Sequence, residues 1–430
     1  MPIVSAVCPS CNAPIQVDNK KDAAICPFCG TPYIVEKAIN NYNFYHAPES
    51  DFVIRAGVLE KYIGASTEVV IPSSVKIIGK RIFDHPELVS SITIPNSVTT
   101  IQNYAFGGCS SINSLVIPNS VQTIGENAFW ACKSLKRVSL PNSIKTIGHF
   151  AFSGCSSITE INIPANIAEI DLSGCSSLED ITIPSNIRWI HLDGCSSLKK
   201  VSLPPYITNF SFSGCTSLTA VTIPSSITCL PYHAFENCKS LSHFTIPSNI
   251  TEICGEAFSG CSSLVSITIP DSVNKIGHGA FKGCSKLRDI SIPDSVTEIG
   301  HSAFMECVSL KSIRLPNNIS SIANETFWNC SSLASIQLPK TLCSIRSGAF
   351  HGCSSLVAVD IPRKVSLIDY YAFKGCSNLK NINCTNKKIL WGRSIMDTPY
   401  AESRGICSYC GEKFFLFGKC DYCKKPKKYK

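Results

Sequence analysis

Four CxxC pairs are the residues of this chain best suited to chemistry. Cys8 and Cys11 precede Cys26 and Cys29 in CPSCNAPIQVDNKKDAAICPFCG, and Cys407 and Cys410 precede Cys420 and Cys423 in CSYCGEKFFLFGKCDYC. Each CxxC can make a tight knuckle whose backbone N–H groups point at the sulfurs. Gly30 permits the turn after the second knuckle, and the intervening residues can form a hairpin joining two knuckles around a tetrahedral ion. The spacing therefore predicts two structural zinc ions, one per set of four cysteines. Four protein ligands leave no position for water, so each site reads as structural rather than catalytic. A redox use of CxxC would call for a single pair beside a βαβ unit, a plan these four pairs do not follow.

The other cysteines behave differently. Of 25 in all, Cys229, Cys254, Cys343 and Cys384 are scattered, while thirteen recur at one place: Cys109, Cys132, Cys155, Cys175, Cys195, Cys215, Cys238, Cys261, Cys284, Cys307, Cys330, Cys353 and Cys376. On stacked coils neighbouring rungs of this ladder would stand about 5 Å apart, within disulfide range. Their number is odd, however, their side chains would point the same way, and zinc thiolates imply reducing surroundings. They are expected to be reduced, buried and apolar in behaviour. No GxxxxGK[ST] loop, HExxH helix or GxSxG elbow occurs. The nine histidines are dispersed. His278 and His301, 23 residues apart, should stack as a solvated pair.

The elements that position these residues follow from a proline repeat. Ile-Pro or Leu-Pro places proline at 72, 95, 118, 141, 164, 184, 204, 224, 247, 270, 293, 316, 339 and 362, at intervals of 23 or, three times in succession, 20. Apolar pairs such as Leu115/Ile117 precede the proline, and Val121, Ile124 and Phe129 follow it. The alternation before the proline predicts a short strand with one buried face, and stacking one strand per coil predicts a parallel sheet. The GENAF-type segment should form a short helical or 3₁₀ turn that plugs the core with Phe. In the 20-residue units that turn should be missing, the back of the coil more extended, and Leu172, Leu192 and Phe212 should fill the plug.

The pattern LxxIxIPxxVxxIGxxAFxxC resembles the BspA-like, treponemal-type class of bacterial leucine-rich repeats, and DFVIRAGVLEKYIGASTEVVIP at residues 51–72 resembles its opening coil. The resemblance implies a right-handed curved solenoid, mainly parallel β with short helical or 3₁₀ turns, with the IxIP strands on the concave side. It also implies binding proteins, often surface adhesins. The expected division is an N-terminal zinc ribbon at 1–36, a linker at 37–50, a leucine-rich-repeat solenoid of about fourteen repeats at 51–384, a linker at 385–405, and a C-terminal zinc ribbon with a basic tail at 406–430.

Composition narrows the function. The charged fraction is 16% and the apolar fraction 44%, which argues against a disordered chain. No run approaches the roughly 18 apolar residues of a membrane helix. MPIVSAVCPSCNAP has no basic leader, so the expected location is cytoplasmic. The formal charge of +8 falls to about +4 once eight thiolates hold two Zn²⁺, and five lysines crowd into residues 424–430. Outward strand positions are mostly Ser or Thr, with Arg137, Glu160, Asp180, Lys200, His243 and Asp289 as the distinctive side chains. These features point to a non-enzymatic scaffold with protein partners. Two other readings stay open: an exported surface adhesin, and nucleic-acid binding by the ribbons and the tail around Lys424, Lys425, Lys427, Lys428 and Lys430.

Overall fold

The structure, a computed structural model, describes residues 3–8, 13–18, 23–28, 32–34, 49–386, 390–391, 395 and 398–400. The chain forms two compact units, Met1–Ile207 and Thr208–Lys430. Among the described residues no helix is long and apolar enough to cross a membrane.

The first unit opens with two antiparallel hairpins, Ile3–Val7 with Pro14–Asp18 and Ala23–Ile25 with Pro32–Ile34. The repeat then supplies two strands per coil. The IxIP strands include Glu68–Val70, Ser91–Thr93, Ser114–Val116, Arg137–Ser139 and Glu160–Asn162. They run parallel in a register set by the 23-residue period, so that Arg137 faces Ser114 on one side and Glu160 on the other. Their central residues Val69, Ile92, Leu115, Val138 and Ile161 are buried, as the alternation requires. Proline ends each strand because it has no N–H to donate. A second sheet is made of two-residue strands such as Thr100–Ile101, Thr123–Ile124 and Thr146–Ile147, again parallel and in register. The second unit repeats both sheets, for instance in His243–Thr245, Ser266–Thr268 and Asp289–Ser291, and in Glu252–Ile253, Lys275–Ile276 and Glu298–Ile299. A further strand, Leu390–Trp391, pairs with Leu367–Ile368.

The plug segments differ from expectation, since none is helical. Among the described residues 3₁₀ helix occurs at Glu49–Asp51 and Pro86–Leu88. In the coil containing Phe129, tight turns link Ala128 N–H to Gly125 O, Trp130 to Asn127 and Cys132 to Phe129, at 3.3, 3.0 and 3.2 Å. The alternate N–H groups leave the coil: Asn127, Phe129 and Ala131 donate to His149, Ala151 and Ser153 of the next one, at 3.0, 2.8 and 2.8 Å. Asn127 and Ala131 hold φ of 54° and 57°, a left-handed conformation that a right-handed helix excludes. A helix would satisfy its own backbone; this arrangement shares the bonds between neighbours, which suits a coil that cannot bury its own face.

Just ahead of the ladder cysteine, glycine often takes the second left-handed position. Gly108, Gly154, Gly174 and Gly194 in the first unit have φ between 72° and 83°. At Gly174 a Cβ would also come within 3.1 Å of the Gly154 backbone, so the site needs glycine twice over.

The aromatic plugs form fully buried stacks. In the first unit Phe106, Phe129 and Phe152 follow one another at 5.3 and 5.2 Å between ring centroids. In the second, Phe258, Phe281, Phe304, Phe327, Phe350 and Phe373 follow at 5.2 to 5.5 Å. These distances suit offset stacking.

The 20-residue coils are extended along the back, as their length implies. Glu169–Asp171 and Trp189–His191 are three-residue strands in register, and Leu172 and Leu192 are buried in the plug position. Phe212 is buried in the same repeat position in the second unit. The IxIP strand expected at 180–182 does not form. The Asp180 carboxylate accepts the Ile181 N–H at 2.8 Å, and Ile181 and Ile183 are only half-buried. A side chain that captures the local N–H competes with the ladder for it.

Candidate binding face and cysteine clusters

The IxIP strands present every second side chain to solvent. In the first unit Ser139, Asn162 and Ser202 are exposed two places before the proline and Arg137, Glu160 and Lys200 four places before it, while Thr182 and Asp180 are exposed at the same places of a segment that forms no strand. Asn162 ties adjacent coils together, accepting from Leu140 N–H at 2.9 Å and donating to Leu140 O at 2.8 Å. Lys199 sits 2.9 Å from Glu179, holding that exposed carboxyl below its usual range. In the second unit Thr222, Thr245, Thr268, Ser291, Arg314, Gln337 and Asp360 occupy the outward places, all exposed. Asp294 accepts the Asn317 N–H at 2.9 Å and two bonds from the Arg314 guanidinium at 3.1 and 2.9 Å, and in that order these lower its pKa. Exposed pairs of this kind contribute little to folding. They leave a hydroxyl-rich sheet face marked by a few charges.

The thirteen ladder cysteines are all buried. They are more than fillers. The Cys132 thiol donates to the Phe106 carbonyl of the preceding coil at 3.3 Å, Cys155 to Phe129 at 3.2 Å, and Cys175 to Phe152 at 3.6 Å. In the second unit Cys261, Cys284, Cys307, Cys330, Cys353 and Cys376 do the same at 3.1 to 3.2 Å. Burial pushes the thiols of Cys109, Cys261, Cys330 and Cys376 up to about 12. A weak donor on a small apolar side chain fits a place that is tight and faces a carbonyl.

Of the expected zinc ligands, Cys8 and Cys26 are described and both are buried. Cys8 directly follows strand Ile3–Val7, and its N–H bonds Ala13 O at 2.9 Å. Cys26 directly follows strand Ala23–Ile25 and accepts the Phe28 N–H on its sulfur at 3.4 Å. Cys11, Cys29, Cys407, Cys410, Cys420 and Cys423 lie outside the described residues, as does the basic tail.

Three clusters had not been singled out from the sequence. Cys229 and Cys254 bring their sulfurs to 2.7 Å, and the Glu252 carboxylate lies within 4.8 Å of both. His233 stands 3.0 Å from Glu236 and 3.6 Å from Glu256. Asp171 is buried with one carboxylate oxygen on the Ser173 N–H at 2.9 Å and the other 4.0 Å from His191 Nδ1. The signal for these lay in the period: 254 less 23 is 231, two residues from Cys229, and Asp171 and His191 are one short period apart. His278 and His301 stack, as expected, at 5.2 Å.

Two parallel strands per coil, a buried plug and a fixed cysteine rung define a leucine-rich-repeat coil. The chain belongs to the family described as BspA type leucine rich repeat region, whose model matches in overlapping stretches at residues 54–173, 111–204, 171–253, 191–310 and 297–395. No curated protein matches the chain. Among solved structures it is similar to a leucine-rich repeat protein from Bacteroides ovatus, at 28% identity over 64% of this chain and 82% of that one, with a TM-score of 0.52. It is similar also to a leucine rich cell surface protein from Faecalibacterium prausnitzii, at 28% identity over 78% and 93%, with a TM-score of 0.48. A T. pallidum leucine rich repeat protein is 39% identical over 33% of this chain and 69% of that one, with a TM-score of 0.32.

Proposed function

We propose that this chain is a non-enzymatic scaffold that binds protein partners along the exposed face of its IxIP strands. The observation that carries this is the in-register display of Arg137, Glu160 and their neighbours on a sheet whose buried side is sealed by the plug and the rungs. Membership of a leucine-rich-repeat family supports it, as an argument from fold. Reversing the charges of Arg137, Glu160, Asp180 and Lys200 together should weaken captured partners at least about tenfold, the scale expected for a few lost interface contacts. Deleting residues 424–430 should leave those partners unchanged. The reverse result, a tail-dependent and steeply salt-dependent oligonucleotide affinity with partners indifferent to the face, would replace this reading with nucleic-acid binding.

Two structural zinc ions complete the reading, held by Cys8, Cys11, Cys26 and Cys29 and by Cys407, Cys410, Cys420 and Cys423. Support at the first site is the pair of hairpins, each carrying a buried cysteine directly after its first strand and before its second, with the Phe28 N–H directed at the Cys26 sulfur. Elemental analysis of protein purified without added metal should give two zinc per chain, and Cys26→Ser should remove one while most of the circular dichroism persists. A ratio of one or less for the unaltered chain removes a ribbon. Such thiolates suit a cytoplasmic location, which fractionation of the native cell checks.

A further inference from the structure

Cys229 opens the strand Cys229–Leu230 in the second unit, in register with Glu252 of the adjacent strand, and Cys254 follows that strand directly. The contact therefore joins neighbouring coils. It differs from the ladder in three respects. Its sulfurs face each other at 2.7 Å, whereas each bonded ladder thiol faces a carbonyl. Cys229 is half-buried and open to small reagents, whereas every rung is buried. Cys254 is only 7% exposed, so one thiol is presented and the other held behind it.

Two thiolates on one tetrahedral ion, each about 2.3 Å from it, stand roughly 3.7 Å apart, whereas a disulfide measures about 2.05 Å. The Cys229–Cys254 contact lies nearer the second. The third donor that a metal would need is also engaged, since Lys275 Nζ lies 3.6 Å from the Glu252 carboxylate and 3.8 Å from Glu298.

We propose that Cys229 and Cys254 form a reactive dithiol that exchanges with low-molecular-weight disulfides and closes into a bridge between adjacent coils. The Cys229 thiolate attacks one sulfur of the small disulfide RSSR, forming a mixed disulfide and expelling RS⁻, which takes a proton from water. Cys254 then loses its proton to water and attacks the Cys229 sulfur, expelling the second RS⁻, which is protonated in turn. Two protein thiols are oxidised by two electrons, and RSSR is reduced to two RSH; excess RSH reverses the sequence. The electrostatics favour this order. The Cys254 thiol hydrogen-bonds the Cys229 sulfur and, with help from the Lys275 ammonium, lowers the Cys229 pKa against desolvation and Glu252. The same hydrogen bond and burial raise that of Cys254. The attacking thiol is thus the exposed one.

The test uses the full chain and glutathione disulfide under native conditions, quenched with iodoacetamide and mapped by peptide mass spectrometry. The expected product is a Cys229–Cys254 cross-link lacking two hydrogens, with two glutathione released per chain, full reversal by dithiothreitol, and reduced ladder rungs. Cys229 should react about tenfold faster than the exposed Cys343, in keeping with its thiolate character. Cys254→Ser should halt at the Cys229–glutathione adduct, and Cys229→Ser should abolish the fast phase. A stable adduct at Cys229 in the unaltered chain would overturn the proposal, as would a Cys229 no faster than Cys343. So would protection of both thiols that a chelator relieves with release of one metal ion per chain, which would make the cluster a metal site.

Discussion

Two stretches of the first unit solve one packing problem in different ways. Around Phe129 and Phe152 the coil spends 23 residues, holds its second strand to two residues, and fills its centre with a ring between two left-handed turns. Around Leu172 and Leu192 it spends 20. One of those turns is dropped, the second strand grows to three residues, and an aliphatic side chain plugs the centre. The rung stays the same: Cys132 and Cys155 donate to the carbonyl of the preceding plug, and so do Cys175 and Cys195. The constant part of this repeat is therefore the cysteine rung, and the back of the coil is what varies.

That contrast can be tested from the strongest effect downward. The rungs are common to both kinds of coil, so alkali should strike both. An unfolded thiol ionises near 9.0, whereas folded Cys109, Cys261, Cys330 and Cys376 ionise at about 12. Because the folded state keeps the proton, the stabilisation is complete below the unfolded value and is lost as pH rises from 9 toward 12. Each such thiol takes away about 1.4 kcal/mol per pH unit within that window. Melting followed by circular dichroism from pH 8 to 11 should show a steep fall above 9, with Cys109 and Cys175 becoming labelled together. Early labelling of one kind of coil would mean that the rung is not the shared foundation.

The plug should separate the two kinds. Phe129→Ala is expected to cost about 3 to 5 kcal/mol in urea unfolding and Leu172→Ala about 2 to 4, since the ring leaves the larger cavity. Equal losses would indicate that the aromatic stack adds nothing beyond volume. The smallest effects belong to the turns. Gly174→Ala, strained by its φ of 78° and by the nearby Gly154 backbone, should cost about 1 to 2 kcal/mol. Ala131→Gly, at a φ of 57°, should stabilise by up to about 1 kcal/mol.

Much of this was legible in the residues. The period placed the strands, the alternation assigned their buried faces, and the spacing after Ile170 located Leu172 in the plug. The turns were not legible because Tyr104, Phe150 and Glu306 hold left-handed backbone without being glycine, so composition gave no cue. The short strand at 180–182 was lost to one carboxylate, a local competition that the pattern of apolar residues does not register. Cys229 and Cys254 read as scattered because their separation of 25 departs from the period. The departure is a diagonal step across neighbouring coils, two residues off the period, and the register shows that this step brings the two thiols together.

The hairpin of Phe52–Arg55 and Val58–Tyr62 has a further consequence. Its outer strand runs antiparallel at the margin of a sheet that is otherwise parallel, and Tyr62 packs between Phe52 at 5.2 Å and Phe83 at 5.6 Å. A repeating sheet is a template that any like segment could extend, and a reversed strand is a poor template for the next parallel one. The hairpin thus works as a full stop in a repetitive text. Without residues 51–57, the margin at Val58–Tyr62 would be open to another copy of the same chain, and each copy could become one link of a fibre.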